Sequence, residues 1–439
     1  MSIDFQCACG KTLRVADGYE GRKVRCPSCG NVSVVPSAPV PASGGNEYEL
    51  NEPAPRPVTR QPVSPPATVS LRPVSSVPTY NSSYPSPDLA SRSRGVRGFM
   101  YLLLVLAFIP LIWMTFQKHE TFGDKLARTV LAHKDEPDVI ANLDKDFNED
   151  GTLIVSEEDF FNSLPNNRLE GALLPRTTEA HWLMALAAAV AFFAFYMIAF
   201  RGATKFAGGM LLAGVFTGTL GIVLLLGFQW AAFSMPMIIP HGVIGLVLLV
   251  VKLIGESYRL AEGDTGFFLS FLGFTCGVGL CEEITKAIPL LFRVKSIPGE
   301  TYPSWYNLLL WGLASGTGFG IAEGIMYSGH YYNGIEGSGM YLVRFASCVV
   351  LHAMWAGANG INLYRKQGDL AGSANNWEYF GRVILIVLVP MILHGLYDTL
   401  LKQEHDGFAL LVAVATFGWL VFQIERAYRA EPAPMLATT

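Results

Sequence analysis

Four groups of ionisable residues lie inside apolar segments of this 439-residue chain. The first group stands in GFFLSFLGFTCGVGLCEEITKAIPLLFRV, residues 266–294, and contains Glu282, Glu283 and Lys286. A charged side chain at the centre of a membrane helix costs about 2.5–3.5 kcal/mol on insertion scales, so these residues mark a candidate functional site. Because Glu282 and Lys286 are four residues apart, a helix places them on one face, where their charges partly offset each other.

Three later apolar segments carry further ionisable residues. Glu323 follows Phe319 in an F-x-x-x-E pattern, His352 begins H-x-x-W, and His394 forms H-x-x-x-D with Asp398. Counted from the ends of the predicted helices at ~1.5 Å per residue, these four ionisable residues lie about 5–16 Å from the same membrane face. We therefore expect them to meet at one depth.

The chemistry that these residue types favour is the activation of a water molecule. A carboxylate in an apolar environment can act as a general base, and a histidine with a hydrogen-bonding partner can stabilise a developing oxyanion. No serine or cysteine is evidently paired with the histidines, which disfavours covalent acyl transfer. The residues alone do not separate a hydrolase from an ion- or proton-coupled transporter or channel, because intramembrane carboxylates also mark transport pathways. A membrane sensor or scaffold without catalytic activity is a third alternative.

The composition predicts the class of fold. Apolar residues make up 51% of the chain and charged residues only 15%, and long apolar runs recur after residue 98. These features predict an all-α polytopic membrane protein with about 8–9 transmembrane helices in the lipid bilayer. The net charge of −4 gives no indication of a nucleic-acid partner.

The first 36 residues contain two cysteine pairs, C-x-C-G and C-P-x-C-G, separated by sixteen residues. Four thiolates on two glycine-bearing turns match a closed tetrahedral zinc site, and so short a segment needs a crosslink to fold. The alternative is two disulfides, which require an oxidising compartment. Residues 1–36 resemble zinc-ribbon modules, and we predict a structural zinc ion bound by Cys7, Cys9, Cys26 and Cys29.

Residues 37–97 are rich in Pro, Ser and Val and show almost no hydrophobic periodicity, which predicts a disordered, solvated linker. Arg92, Arg94 and Arg97 precede the first predicted transmembrane helix, residues 98–117. By the positive-inside rule, this cluster keeps the N-terminus in the cytoplasm. We expect an integral protein of a bacterial-type cytoplasmic membrane, with thiolates that bind zinc rather than form disulfides.

Residues 118–180 form a polar stretch that we expect outside the cytoplasm. Within it, the sequence DFNEDGTLIVSE fits the twelve-residue loop of an EF-hand, with Gly151 at the position of the sharp turn. Oxygen ligands at this spacing suit Ca²⁺, although only one copy is visible and such hands usually pair. The alternative is a polar loop without a metal ion. The predicted calcium ligands are Asp146, Asn148, Asp150, Thr152 and Glu157.

Nine apolar segments would place the C-terminus outside, but the positive charges oppose that count. The basic residues that would then lie outside are Arg293, Lys295, Arg365, Lys366, Arg382, Arg426 and Arg429. The positive-inside rule therefore favours an even number of crossings. Either the segment 266–294 turns back within the membrane, or one earlier apolar segment does not cross.

The ordered motifs E-E-x-x-K, F-x-x-x-E, H-x-x-W and H-x-x-x-D resemble those of the PrsW family of intramembrane proteases. That family belongs with the CAAX-protease and bacteriocin-processing enzymes, whose second motif usually ends in His instead of Glu. The resemblance implies a protease core over residues 181–426 and a tail over residues 427–439. Gly324 stands where relatives often have Asn. The zinc ribbon and the EF-hand-like loop are additions outside this core.

The resemblance implies a glutamate-dependent or metal-dependent endopeptidase that cleaves membrane-anchored proteins such as anti-sigma factors. The motifs leave open whether catalysis needs a metal ion. The residues that the resemblance assigns to catalysis are Glu282, Glu283, Lys286, Glu323, His352, His394 and Asp398.

Overall fold

A computed structural model of the chain divides into two units, Met1–Val74 and Ser75–Thr439. The structure describes the backbone of four short strands between residues 2 and 34. Apart from a few single residues, it further describes residues 101–117, 120–146, 154–176, 179–234, 242–295 and 303–430. The first unit contains the strands, and the second contains the helices.

The described part of the first unit consists of two antiparallel hairpins. The strands are β1 (Ser2–Gln6), paired with β2 (Thr12–Ala16), and β3 (Lys23–Arg25), paired with β4 (Val32–Val34). In the sequence, one cysteine pair falls between β1 and β2 and the other between β3 and β4. The four cysteines lie outside the described residues, so the zinc ribbon stays a prediction.

The second unit is helical. Its helices are α1 (Ile109–Thr115), α2 (Phe122–Ala132), α3 (Pro137–Lys145), α4 (Glu157–Ser163), α5 (Glu179–Ala199), α6 (Ala203–Ser234), α7 (Gly242–Glu262), α8 (Phe267–Lys295), α9 (Trp305–Tyr332), α10 (Ser338–Ala371), α11 (Asn376–Lys402) and α12 (Asp406–Ala430). Four of the long helices contain a π-helical turn, at Thr217–Gly221, Phe274–Gly279, Ser328–Tyr332 and Val343–Cys348.

Seven of the described helices, α5, α6 and α8 to α12, are long and apolar enough to cross a membrane. A shorter apolar stretch, Leu104–Thr115, contains α1. A hydrocarbon core of about 30 Å needs about 20 apolar residues, which these seven helices supply. The predicted all-α polytopic fold is confirmed.

Helix α7 packs antiparallel to the helix that follows it. Gly273 of α8 lies against Ala261, and Gly277 lies against Tyr258, so the residue numbers rise on one helix as they fall on the other. The end of α7 also reaches the end of α6, where the Arg259 guanidinium donates a hydrogen bond to the Phe233 carbonyl oxygen at 3.1 Å. Both α6 and α7 therefore end beside the start of α8.

Helix α6 has the same direction as α7. Gly214 and Gly218 of α6 lie against Ala314 and Gly318 of α9, so these two helices are parallel. Helix α8 is antiparallel to α9, because Leu290 near its end packs with Leu308 near the start of α9. Helices α6, α7 and α9 consequently share one direction, which two successive membrane crossings by α6 and α7 would not give.

The other apolar helices alternate in direction along the chain. The pairs that fix these directions are Leu111–Ser347 and Met114–Gly339 for α1 and α10, His181–Tyr341 and Ala185–Phe345 for α5 and α10, Gly312–Ala356 and Gly316–His352 for α9 and α10, Gly279–Met391 and Thr275–Gly395 for α8 and α11, and Trp355–Thr416 and Arg365–Gln423 for α10 and α12. The seven long helices and the shorter stretch that contains α1 would together give eight membrane crossings. This is the even number of crossings that the basic residues favour, and it requires that α7 does not cross.

Helices α2 to α4 form a small subdomain on the connection between α9 and α10. Its apolar centre includes Phe160 and Leu169. The Leu169 amide donates to the Gly334 carbonyl oxygen at 2.8 Å, and the Lys125 ammonium lies 2.5 Å from the Glu336 carboxylate. The subdomain is thus held on the segment that joins two helices of the candidate site.

Helices α3 and α4 flank the EF-hand-like sequence, as a helix–loop–helix arrangement requires. Asp146 accepts a hydrogen bond from the Ser163 hydroxyl at 2.7 Å, and Glu157 pairs with Arg176 at 2.9 Å. Asp150 and Thr152 lie outside the described residues. The calcium site stays a prediction.

The helix directions predict the accessibility of single cysteines introduced by S91C, N148C, D264C and T438C. A membrane-impermeant maleimide should label N148C and D264C from outside, and S91C and T438C only after the membrane is opened. Labelling is measured above that of the unmodified protein, which controls for the native cysteines. External labelling of T438C together with internal labelling of D264C would mean that α7 crosses and that the count is odd.

Candidate active site

Helices α8 to α11 bring the seven predicted site residues into one cluster. Glu282, Glu283 and Lys286 come from α8 and Glu323 from α9. His352 comes from α10, and His394 and Asp398 come from α11. Six of the seven residues contact a residue on another of these helices, and Asp398 contacts His394 on its own helix.

Lys286 occupies the centre of the cluster and has no solvent-exposed surface. Its ammonium nitrogen lies 2.6 Å from Glu283 Oε1, 3.7 Å from Glu282 Oε2 and 3.0 Å from His352 Nδ1. The ring of Phe319 lies 4.7 Å from the same nitrogen, at a distance typical of a cation–π contact. The ammonium is thus surrounded by groups that favour a cation.

Glu283 has both carboxylate oxygens occupied. Oε1 contacts the Lys286 ammonium and lies 3.2 Å from His394 Nδ1, while Oε2 accepts a hydrogen bond from the Asn359 amide at 2.8 Å. The residue is completely buried. Complete burial together with these contacts suits a residue that positions its neighbours rather than one that takes a proton from water.

Glu282 differs from its neighbour in having an oxygen without a hydrogen-bond partner. That atom, Oε2, is buried among the described residues and lies 3.6 Å from His394 Nε2. A buried carboxylate oxygen without a partner is costly unless another group occupies the space beside it. The geometry therefore separates the two adjacent glutamates, which the sequence did not.

Glu323 is held from two sides. Its Oε2 lies 2.6 Å from His352 Nε2, and its Oε1 lies 2.6 Å from the Arg344 guanidinium. Arg344 also lies 3.7 Å from the centre of the Tyr327 ring. The carboxylate is fixed between an imidazole and a permanent positive charge.

Asp398 and Glu323 are the members of the cluster nearest to solvent, with side chains 24% and 15% exposed. Asp398 Oδ2 lies 3.3 Å from His394 Nε2. Trp355 stacks on the His394 ring with centroids 4.2 Å apart, and its indole N–H donates to the Thr416 hydroxyl at 3.1 Å. The histidine is thereby fixed by a carboxylate at its edge and an indole on its face.

Two glycines allow the helices to approach closely. A Cβ atom on Gly316 would lie 2.2 Å from the His352 carbonyl oxygen, so α9 and α10 could not pack this way with a larger residue. A Cβ atom on Gly324 would lie 3.0 Å from the Phe345 ring. A larger residue at that position, such as asparagine, would therefore require a small shift of the Phe345 ring.

Glu282, His352 and His394 offer ligand atoms that all lie within 4.8 Å of one another. One carboxylate and two imidazoles are a ligand set that zinc and similar ions favour at catalytic sites. With every carboxyl ionised, four carboxylates face two cationic side chains in the cluster, and this leaves two negative charges in excess. A divalent cation would balance that excess and would occupy the space beside the unpartnered Glu282 oxygen.

A separate groove of about 1470 Å³ opens between α6, α7, α8 and the adjoining ends of α10 and α11. None of the seven predicted residues lines it. Apolar side chains such as Leu224, Ile288 and Phe380 form most of its surface. The chemistry therefore belongs to the buried cluster on the other side of α8.

Two residues of the cluster were missed by the sequence analysis. Arg344 stands eight residues before His352 in an apolar segment, and an intramembrane arginine is itself a signal of function. Asn359 stands seven residues after His352 and binds Glu283. A single amide in a helix rich in small residues gives no comparable signal.

A buried carboxylate–histidine cluster lies inside a bundle of helices that are long and apolar enough to span a membrane, which is the arrangement expected of an enzyme embedded in the membrane. Comparison with protein-family models matches residues 209–424 to the PrsW family of intramembrane metalloproteases, and this part of the chain belongs to that family. The matched residues include all seven predicted site residues, and the chain is a membrane protease. Comparisons with curated proteins and with solved structures give no match.

The different environments of Glu282 and Glu283 predict different effects on stability. E283Q leaves the Lys286 ammonium without its closest counter-charge, and breaking a buried ion pair in this way costs about 3–5 kcal/mol. E282Q removes a carboxylate that lies 3.7 Å from the Lys286 ammonium and has one oxygen without a hydrogen-bond partner, so its thermal unfolding temperature should equal or exceed that of the wild type. The measurement is thermal unfolding of both purified variants in the same detergent. Equal destabilisation by both changes would contradict the separation of their roles.

Proposed function

We propose that this protein hydrolyses peptide bonds of membrane-anchored proteins with a water molecule activated in the cluster of carboxylates and histidines. The observation that carries the proposal is the unpartnered Glu282 oxygen beside His394, within a group of three residues suited to bind a metal ion.

Glu282, His352 and His394 would hold the metal ion that the family description implies. Because Glu323 faces His352 Nε2, His352 would bind the ion through Nδ1, in place of its 3.0 Å contact with the Lys286 ammonium. When bound, such an ion lowers the pKa of a coordinated water and polarises the substrate carbonyl. Glu323 and Glu283 each lie beside one of the two histidines, at 2.6 and 3.2 Å. Carboxylates in these positions orient imidazole ligands and fix which nitrogen carries the proton.

Glu323 is the proposed proton acceptor. It lies at the more exposed side of the cluster and contacts the Arg344 guanidinium, which favours the ionised carboxylate that a general base requires. The proton taken from water can then pass to the leaving amine from the same carboxylic acid. Asp398 holds His394 from the exposed side, and Lys286 keeps Glu283 ionised.

The substrate class follows from the position of the cluster in the helices. Glu323 stands four residues before Tyr327, where the regular part of α9 passes into its π-helical turn, and Asp398 stands four residues before Lys402, where α11 ends. At ~1.5 Å per residue, a peptide bond would need to enter only about 6 Å below the level of these two positions. Membrane-anchored proteins, including anti-sigma factors, meet that requirement where their chain leaves the bilayer.

The catalytic assignment predicts that E282Q, E323Q and H394A each abolish detectable cleavage while the protein still inserts in the membrane. Loss of one positioned general base lowers the rate by about 10²–10⁴-fold. Glutamine is nearly isosteric with glutamate, so it removes the charge without leaving a cavity. The measurement is cleavage of reconstituted single-span proteins, followed with and without chelator.

Arg382, which forms a surface ion pair with Glu378 at the opposite end of α11, supplies a matched control. R382Q should cleave at the wild-type rate. Wild-type rates from E282Q, E323Q and H394A would refute the site assignment. Ion-coupled flux without proteolysis by the wild type would favour the transporter alternative.

We propose in addition that the first unit binds one structural zinc ion and that the loop between α3 and α4 binds one calcium ion. Metal analysis of the full chain should find both ions after dialysis against buffer with calcium. C26S should lower the zinc content by one ion per chain and leave the calcium content unchanged, because it removes one of four thiolates, and E157Q should lose the calcium ion only. Loss of neither ion, or two disulfides in the first unit, would refute the corresponding site.

A further inference from the structure

Arg344 is the one arginine of the described residues that contacts the cluster. Its side chain is almost fully buried, and its guanidinium lies 2.6 Å from Glu323 Oε1. The Tyr327 ring covers the guanidinium at 3.7 Å. Neither the family match nor the ordered motifs assign this residue a role.

We propose that Arg344 is a positioning residue that acts through Glu323 on His352. The three side chains form a line in which Arg344 contacts one oxygen of the carboxylate and His352 Nε2 contacts the other. The inference rests on the proposed function of the site. It adds a residue that determines where the carboxylate points and how the imidazole is held.

Arginine suits this position better than lysine would. The guanidinium is planar and always charged, it stacks on aromatic rings, and its fork of donors fixes the direction of a carboxylate. Here one face lies on Tyr327 and the polar edge meets Glu323. A lysine ammonium would keep the charge but would lose the stacking on Tyr327.

The local backbone aims the Arg344 side chain at the carboxylate. Arg344 lies in the π-helical turn Val343–Cys348, which precedes the regular helix that carries His352. Such turns insert an extra residue and change which face of the helix a side chain occupies. The two partners of Glu323 therefore come from one helix, α10, and reach the carboxylate from two sides.

Contact with His352 extends the effect of Arg344 to the metal-binding residues. Partners of ligand histidines typically change metal affinity or activity by about 10–100-fold when they are removed. Lys286 lies at the other ring nitrogen, His352 Nδ1, at 3.0 Å. If the Glu323 carboxylate no longer faced Nε2, the contact with Lys286 would be the only one of these two that orients the His352 ring.

The test uses the full-length protein in detergent, titrated with Co²⁺ and followed by visible absorption, together with kcat and KM for cleavage. Every variant, and the reference called wild type in this test, carries C26S, so that the predicted four-cysteine site of the first unit does not supply the Co²⁺ signal. R344M should weaken Co²⁺ binding by about 10–100-fold and lower kcat with little change in KM. R344K should recover part of both losses, because it restores the charge without the stacking on Tyr327. R382M, at the opposite end of α11, should match the wild type in every measurement.

A double-variant cycle separates positioning from a direct effect. If Arg344 acts only through Glu323, R344M in an E323Q background should cause no further loss of Co²⁺ affinity. A further 10-fold loss in that background would overturn the proposal. R344M also leaves a buried carboxylate uncompensated, so R344M/E323Q should fold better than R344M alone.

The two levels of the proposal fail in distinguishable ways. Wild-type Co²⁺ affinity and kcat from folded R344M would overturn the role of Arg344 and leave the proposed function intact. A wild-type protein that neither binds Co²⁺ nor cleaves any membrane-anchored protein would overturn the proposed function and this inference with it. If R344M does not fold, R344K and the comparison of R344M/E323Q with E323Q decide the question.

Discussion

The completely buried ion pair of Lys286 and Glu283 is the interaction on which the site depends. Each charge would be costly in the membrane interior alone, and the pair is tolerable only when further polar groups satisfy the remaining atoms. Asn359 on α10 and His394 on α11 supply those groups to Glu283. The ion pair on α8 thus requires two other helices to be in place, so that assembly of the bundle and assembly of the site are the same event.

That requirement fixes how closely the helices approach. Helices α9 and α10 pack closely at the site, because Gly316 of α9 lies directly against the His352 carbonyl of α10. Aromatic rings of Phe319 and Trp355 fill the remaining volume around the Lys286 ammonium, at 4.7 and 5.6 Å. Water is thereby kept from the inner part of the cluster, and the unpartnered Glu282 oxygen marks where a catalytic group can be accommodated.

The sequence predicted the main features of the bundle because its signals were local. Apolar runs identified the helices, and the distances of Glu323, His352 and Asp398 from helix ends indicated a common depth. The direction of α7 was not predictable, since an apolar segment of 21 residues reads the same whether it crosses or lies parallel to its neighbour. The distribution of basic residues indicated that one apolar segment does not cross, because the positive-inside rule favours an even number of membrane crossings. The difference between the adjacent glutamates depends on contacts between helices, which spacing along one helix does not reveal.

The glutamate of the second motif shows how the cluster is balanced. In the CAAX-protease and bacteriocin-processing enzymes that the motifs resemble, the second motif usually ends in histidine. A histidine that binds a metal ion is uncharged. A carboxylate at that position adds a negative charge to a buried group that already contains Glu282, Glu283 and Asp398. The Arg344 guanidinium lies 2.6 Å from the Glu323 carboxylate and neutralises that charge. Arg344 stands on α10, the helix that also carries His352. We infer that glutamate and arginine at these two positions form one unit, so that neither is expected to change to an uncharged residue without the other.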